Sequence, residues 1–304
     1  MDNTDYKRWL VGLDMTDMDQ IIIRWVNYFA GILKPEIVYF IHVEKDFDVP
    51  DYVPEDLKSS IKIIDESQKE TIRQLVSAHF DPSASKTEVE VIEGKPFETL
   101  LHWVKVKKID FFIAGRKNMT EGSGVLPHKL SRRLNCPVLF IPERNLNEIR
   151  KILVPLDFSE HSFQALQTAM RISEMIDKAE IHCHHIYQVP IGYHKTGKSY
   201  AEFAEIMKNN AEKEFKRFTR TVDRALTYTS GLLKDGTAAE LIVDQGRSID
   251  AQLIVMGSKG QTAGSVILLG STAEKLIQAN EFSPTLIVKK KDEHIGFFEA
   301  LKRI

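Results

Sequence analysis

The residues best suited to chemistry lie near the end of the chain. A strand-like run, Leu253–Met256, is followed by Gly257-Ser258-Lys259-Gly260 and, after nine intervening residues, by Gly270-Ser271. Glycines let a backbone turn tightly and present N–H groups with no β-carbon in the way, which is what an anion such as a phosphate requires. Gly270-Ser271 opens a stretch of helical period, Thr272–Gln278. Free N–H groups and the positive end of a helix dipole would face the same anion there, and the Ser271 hydroxyl adds a donor. Asp157 ends another apolar run, Ile152–Leu156. Its carboxylate can accept hydrogen bonds from a ribose hydroxyl or a base amine. In open α/β sheets ligands bind outside the carboxyl ends of the strands, where these groups would meet.

Two other clusters compete for attention. Gly192-Tyr193-His194-Lys195-Thr196-Gly197-Lys198-Ser199 matches the phosphate-loop pattern G-x4-G-K-S between a strand and a helix. However, residues Gln188 to Ile191 separate it from its strand, and Asp244, the nearest metal-binding candidate, lies on helical periodicity. The milder expectation is that Lys195 and Lys198 form a lid over phosphates bound elsewhere. His182, Cys183, His184 and His185 form a dense set of metal-ligand types. On a strand they alternate between faces, and two ligands on one face do not make a tetrahedral site. The expectation is histidines satisfied within the strand and no metal. No nucleophile elbow, Ser-His-Asp order or carboxylate pair stands out.

The elements that must position these groups repeat. Short β-branched runs at Ile152–Leu156, Ile181–Tyr187, Leu226–Leu233, Leu253–Met256 and Thr285–Val288 alternate with helical stretches at Ser162–Ile176, Tyr200–Ala225 and Ala238–Gln245. That alternation predicts parallel strands joined by right-handed crossovers. The same series occurs earlier in the chain at an offset of 142 or 143, as in Asp14 and Asp157, His42 and His185, Gly94 and Gly236, Gly115 and Gly257, and Gly122 and Gly264. Chance likeness would not hold one offset across five separated places. The chain is read as α/β, two tandem doubly wound five-stranded parallel-sheet domains of Rossmann-like type. They span residues 1–144 and 150–291, with the polar Pro142 to Arg150 stretch as linker and 292–304 as a tail whose Phe297, Phe298 and Leu301 could form an amphipathic turn.

The spacing Gly257-x2-Gly260-x9-Gly270-Ser271, together with Pro155-x-Asp157, resembles the universal stress protein family over nearly the whole chain. The resemblance implies a nucleotide-binding second domain holding ATP or a related adenine nucleotide, with or without magnesium. It places contacts on Pro155, Asp157, Ile186, Met256, Gly257, Lys259, Gly260, Gly270, Ser271 and Thr272. It further implies a regulatory switch in a stress response, not an enzyme. An enzyme of adenine-nucleotide chemistry and a ligand-free interaction module are the alternatives. By the same resemblance the two domains pair within the chain through their last strands, Val138–Ile141 and Leu286–Val288. Association of two chains into a homodimer is left open. The first domain departs from the pattern. Asn118 stands for Gly260, His128 for Gly270 and Lys129 for Ser271, and Pro127 removes an N–H beside the expected helix start. It is expected to be a degenerate copy.

Composition narrows the classes. Across 304 residues, 43% are hydrophobic and 28% charged, as in ordinary globular chains. The formal net charge of −2 argues against a binder of nucleic-acid backbones. Two cysteines rule out a disulfide scaffold and fit a reducing compartment. The polar N-terminal stretch and the lack of a bilayer-length apolar run point to a cytoplasmic protein with no membrane partner.

Overall fold

Runs such as Leu153–Leu156, buried at every successive residue, belong to strands covered on both faces, and they fold accordingly. The computed structural model describes residues 6–44, 55–116, 125–145, 148–176, 178–260 and 269–289. Asn118, residues 261–268 of the glycine-rich loop and the 292–304 tail lie outside these. The chain divides into two compact units, Met1–Leu146 and Asn147–Ile304.

In the first unit the strands are β1 (Arg8–Leu13), β2 (Ile37–Glu44), β3 (Lys86–Glu93), β4 (Phe111–Arg116) and β5 (Val138–Pro142). They are joined by helices α1 (Met18–Leu33), α2 (Glu55–His79), α3 (Pro96–Val106) and α4 (Val125–Ser131). Their order in the sheet is β3-β2-β1-β4-β5, all parallel. The second unit comprises β6 (Lys151–Leu156), α5 (Glu160–Met175), β7 (Glu180–Tyr187), α6 (Tyr200–Phe218), β8 (Thr227–Leu232), α7 (Ala238–Ser248), β9 (Leu253–Gly257), α8 (Ser271–Ala279) and β10 (Thr285–Val288). Its order, β8-β7-β6-β9-β10, is the same pattern, again parallel. Each unit is therefore a doubly wound α/β domain whose strand order reverses at its first strand.

The duplication extends to single bonds. His42 Nδ1 donates to the Leu13 carbonyl at 3.1 Å, and His185 Nδ1 donates to the Leu156 carbonyl at 2.8 Å. Directly after the aspartate that follows the first strand, Met15 (φ 61°) and Phe158 (φ 63°) both adopt left-handed backbone, rare for bulky residues. In each unit this strained residue turns the chain from the strand edge toward its next helix.

Helix boundaries follow their caps. Thr237 and Glu240 form a reciprocal capping box at the start of α7, and Ser199 and Glu202 do the same for α6. The helical period read through Ala225 overruns the structure, since α6 ends at Phe218, where a turn leads into β8.

Candidate functional site

The carboxyl ends of β6, β7 and β9 and the start of α8 enclose a cavity of about 500 Å³ in the second unit. All ten of the expected contact residues line it: Pro155, Asp157, Ile186, Met256, Gly257, Lys259, Gly260, Gly270, Ser271 and Thr272. They come from four separate segments, and the sheet topology alone brings them together.

The polar end is built from backbone. Gly270 caps α8 in extended conformation (φ −74°, ψ 152°) with no side-chain cap, whereas α5, α6 and α7 are each capped by a hydroxyl. Among the described residues no N-cap side chain covers the start of α8, at the positive end of a helix dipole. The Ser258 hydroxyl is buried against this end and has no hydrogen-bond partner among the described residues. Gly270 N–H holds the loop in place by donating to the Ser258 carbonyl at 2.7 Å.

Two glycines are fixed by close approach. A β-carbon on Gly257 would lie 2.7 Å from the backbone of His161, at the start of α5. One on Gly260 would lie 2.7 Å from Asp157 Oδ2. The loop therefore closes directly over the carboxylate. The other oxygen, Asp157 Oδ1, accepts from Ser159 N–H (3.1 Å) and its hydroxyl (2.6 Å), which orients the group.

Pro155 explains why a crevice exists here. The Lys151 carbonyl accepts from the N–H of Gln252, which directly precedes β9. Peptide groups alternate sides along a strand, so Lys151, Leu153 and Pro155 all turn theirs toward β9. A proline there has no N–H to give. The β6–β9 register accordingly stops at Leu153↔Ile254. In the first unit Gly12 occupies the matching position, and β1 and β4 stay paired through Gly12↔Ala114. The same switch point is parted in one copy and zipped in the other.

The apolar end is formed by Ile186 of β7, Ala238 and Ile242 of α7, and Met256, which border a core containing Leu153, Ile254 and Leu276. His184 lines this end and is only 5% exposed. Desolvation, with His185 nearby, pushes its pKa down to about 4, so the ring is neutral.

The universal stress protein family model matches residues 148–289. A universal stress protein of Methanocaldococcus jannaschii is 32% identical over 146 residues, which cover 47% of this chain and 84% of that protein. The chain belongs to the universal stress protein family. Universal stress protein E of Salmonella typhi is 22% identical over 310 residues, covering 95% of this chain and 96% of its own. Among solved structures, a universal stress protein from Archaeoglobus fulgidus covers 96% of this chain and 100% of its own, with a TM-score of 0.63 at 18% identity. The stress-response family read from the glycine spacing and Pro155-x-Asp157 is therefore correct, and the fold likeness extends over both units.

Of the other sequence candidates, His184 lines the cavity, whereas Lys195, Lys198, His182, Cys183 and His185 do not. Lys195 and Lys198 are exposed and do not line it. Lys195 lies within a short 3-10 turn, Tyr193–Thr196, bounded by Gly192 (φ 92°) and Gly197 (φ 72°), and Lys198 follows it. The Ser199 hydroxyl is committed to Glu202 in the α6 cap. His182 faces Glu180 at 3.0 Å, and Cys183 is buried, its thiol pushed up to about 12 by desolvation. No group of three His, Cys, Asp or Glu among the described residues could hold a metal ion. No described helix is long and apolar enough to cross a membrane.

In the first unit His128 and Lys129 fall in the last turn of α4, not at a helix start like their counterparts Gly270 and Ser271. The Lys129 N–H is thereby turned into the helix, away from any ligand.

Sequence reasoning missed His184, Ala238, Ile242 and Ser258 as cavity residues. Strand alternation could have found the first, since residue 184 shares a face with 186. The spacing of four from 238 to 242 could have found the pair on α7.

Proposed function

We propose that the second unit binds ATP or a related adenine nucleotide and that this stress-family protein acts as a nucleotide-dependent switch, through occupancy and not turnover. The observation that carries the reading is the convergence of Asp157, the Gly257–Gly260 turn and the uncapped start of α8 on one cavity. The polar end suits phosphates, which helix N-termini and glycine backbones hold well. Asp157, already oriented by Ser159, suits a ribose hydroxyl. The apolar end suits a base, and the cavity falls within the size range of small-molecule sites.

The test is calorimetric titration of the purified chain with ATP, with and without magnesium, alongside mass spectrometry of gently purified protein and a long incubation assayed for ADP. Saturable binding at one site per chain with ATP left intact is expected. Absence of binding would overturn the reading, and sustained ADP release would replace the switch with an enzyme.

A further inference from the structure

Among the described residues, the apolar end of the cavity holds one polar side chain, His184, and the proposed phosphate contacts do not account for it. His184 lies on β7 directly beside Pro155 of β6 and Thr229 of β8. Its Nδ1 is hydrogen-bonded to Thr229 Oγ1 at 2.8 Å, which fixes the ring plane. Nε2 has no partner among the described residues and is not sealed from solvent. The ring has room because residue 231 is glycine; a β-carbon there would stand 3.1 Å from Nε2. The corresponding residue of the first unit, at the same offset, is Ile41, an ordinary core side chain.

A mostly buried ring with one nitrogen satisfied and the other open to solvent leaves one hydrogen-bonding position that a ligand in the cavity it lines can take over from water. We propose that His184 is the specificity-determining residue of this cavity, reading the hydrogen-bonding edge of the nucleotide base through Nε2. This rests on the nucleotide reading above and adds the source of base selection. The glycine turn and the α8 N-terminus contact what every nucleoside triphosphate shares, so they cannot discriminate between bases. Ile186, Ala238, Ile242 and Met256 offer surface without direction. Only a group with a fixed donor or acceptor rejects a base whose edge does not match, because the mismatch leaves buried polar atoms unpaired. The Thr229 hydroxyl can donate to Nδ1 or accept from it. Nε2 correspondingly rests as acceptor or donor, and a base whose edge matches the resting tautomer is preferred because a mismatched one must first switch the His184–Thr229 bond. Because burial keeps the ring neutral, this reading operates unchanged across physiological pH.

The experiment compares ATP, GTP and inorganic tripolyphosphate on the full chain, as wild type, His184→Ile, His184→Gln and Thr229→Val. Wild type is expected to prefer one base by about tenfold or more, the worth of one buried hydrogen bond. His184→Ile is expected to bring ATP and GTP within about twofold of each other while leaving tripolyphosphate affinity unchanged. His184→Gln should restore part of the preference, and Thr229→Val should weaken it with the ring still in place. The imidazole ¹⁵N shifts of His184 should move on adding ATP and stay still with tripolyphosphate. An intact base preference in both His184→Ile and Thr229→Val, or shifts indifferent to the base, would overturn the assignment while leaving nucleotide binding standing. Failure of wild type to bind any of the three would overturn the nucleotide reading itself, and this inference with it.

Discussion

Gly257 and Gly260 look interchangeable in sequence, yet the structure gives them different duties. A β-carbon at 257 meets the backbone of His161, which cannot move without shifting the start of α5, whereas one at 260 meets only the end of the Asp157 side chain. Gly257→Ala should therefore destabilise the second unit by about 1–3 kcal/mol, as overpacking against a rigid neighbour does. Thermal unfolding would show it as a lowered Tm. Gly260→Ala should leave Tm nearly unchanged and displace the carboxylate, so nucleotide affinity, measured by titration, should fall about tenfold. The residue types were legible from the start. Which glycine abuts rigid backbone and which the Asp157 carboxylate was not, because that depends on what stands 2.7 Å away across the chain.

At the scale of elements, the deciding contrast is between two pairs of strands with nearly the same sequence pattern. Pro155 ends the β6–β9 ladder, while Gly12 lets β1–β4 continue. Restoring an N–H with Pro155→Ala should extend pairing by one bond and narrow the crevice. The expected outcome is a stability gain of up to about 1 kcal/mol from that hydrogen bond, together with several-fold weaker ATP binding. Denaturant unfolding and calorimetry on the same variant check both. Strand positions were readable because buried parallel strands leave continuous apolar runs. The end of α6 was misread because the apolar period persists from Phe218 into residues that form a turn and then β8.

Over the whole molecule, the two units should answer pH in opposite directions. In the first, Asp19 is 1% exposed and accepts from the N–H groups of Asp14 and Met15. Desolvation outweighs those bonds and raises its pKa from 3.8 to about 6. The folded unit holds this proton more tightly than the unfolded chain, so stability falls as pH rises through that window, by up to about 3 kcal/mol. In the second, His184 has a folded pKa lowered to about 4. The unfolded chain then binds the proton more tightly, and stability rises as pH climbs from about 4 to 6.5, by a similar amount. Hydrogen exchange, corrected for intrinsic rates, should show protection of β1 falling and that of β7 rising between pH 4 and 6.5. The first slope should flatten in Asp19→Asn and the second in His184→Ile. Unchanged slopes in these variants would remove both residues as the cause.

The sequence by itself determined the duplication, the parallel α/β architecture, the family and the residues that line the polar end of the cavity. Each of these is written in local spacing: the constant offset, the β-branched runs, the glycine intervals and Pro155-x-Asp157. Tertiary structure decided which groups share a cavity. Ser258 and His184 are 74 positions apart and come to line one cavity only where β7 and β9 end on either side of β6. It also decided what Lys195 and Lys198 are next to, since a G-x4-G-K-S spacing fixes the loop but not the wall it faces. Spacing along a chain constrains backbone shape, whereas a site is defined by distances across the fold, which depend on strand order and on where each ladder stops.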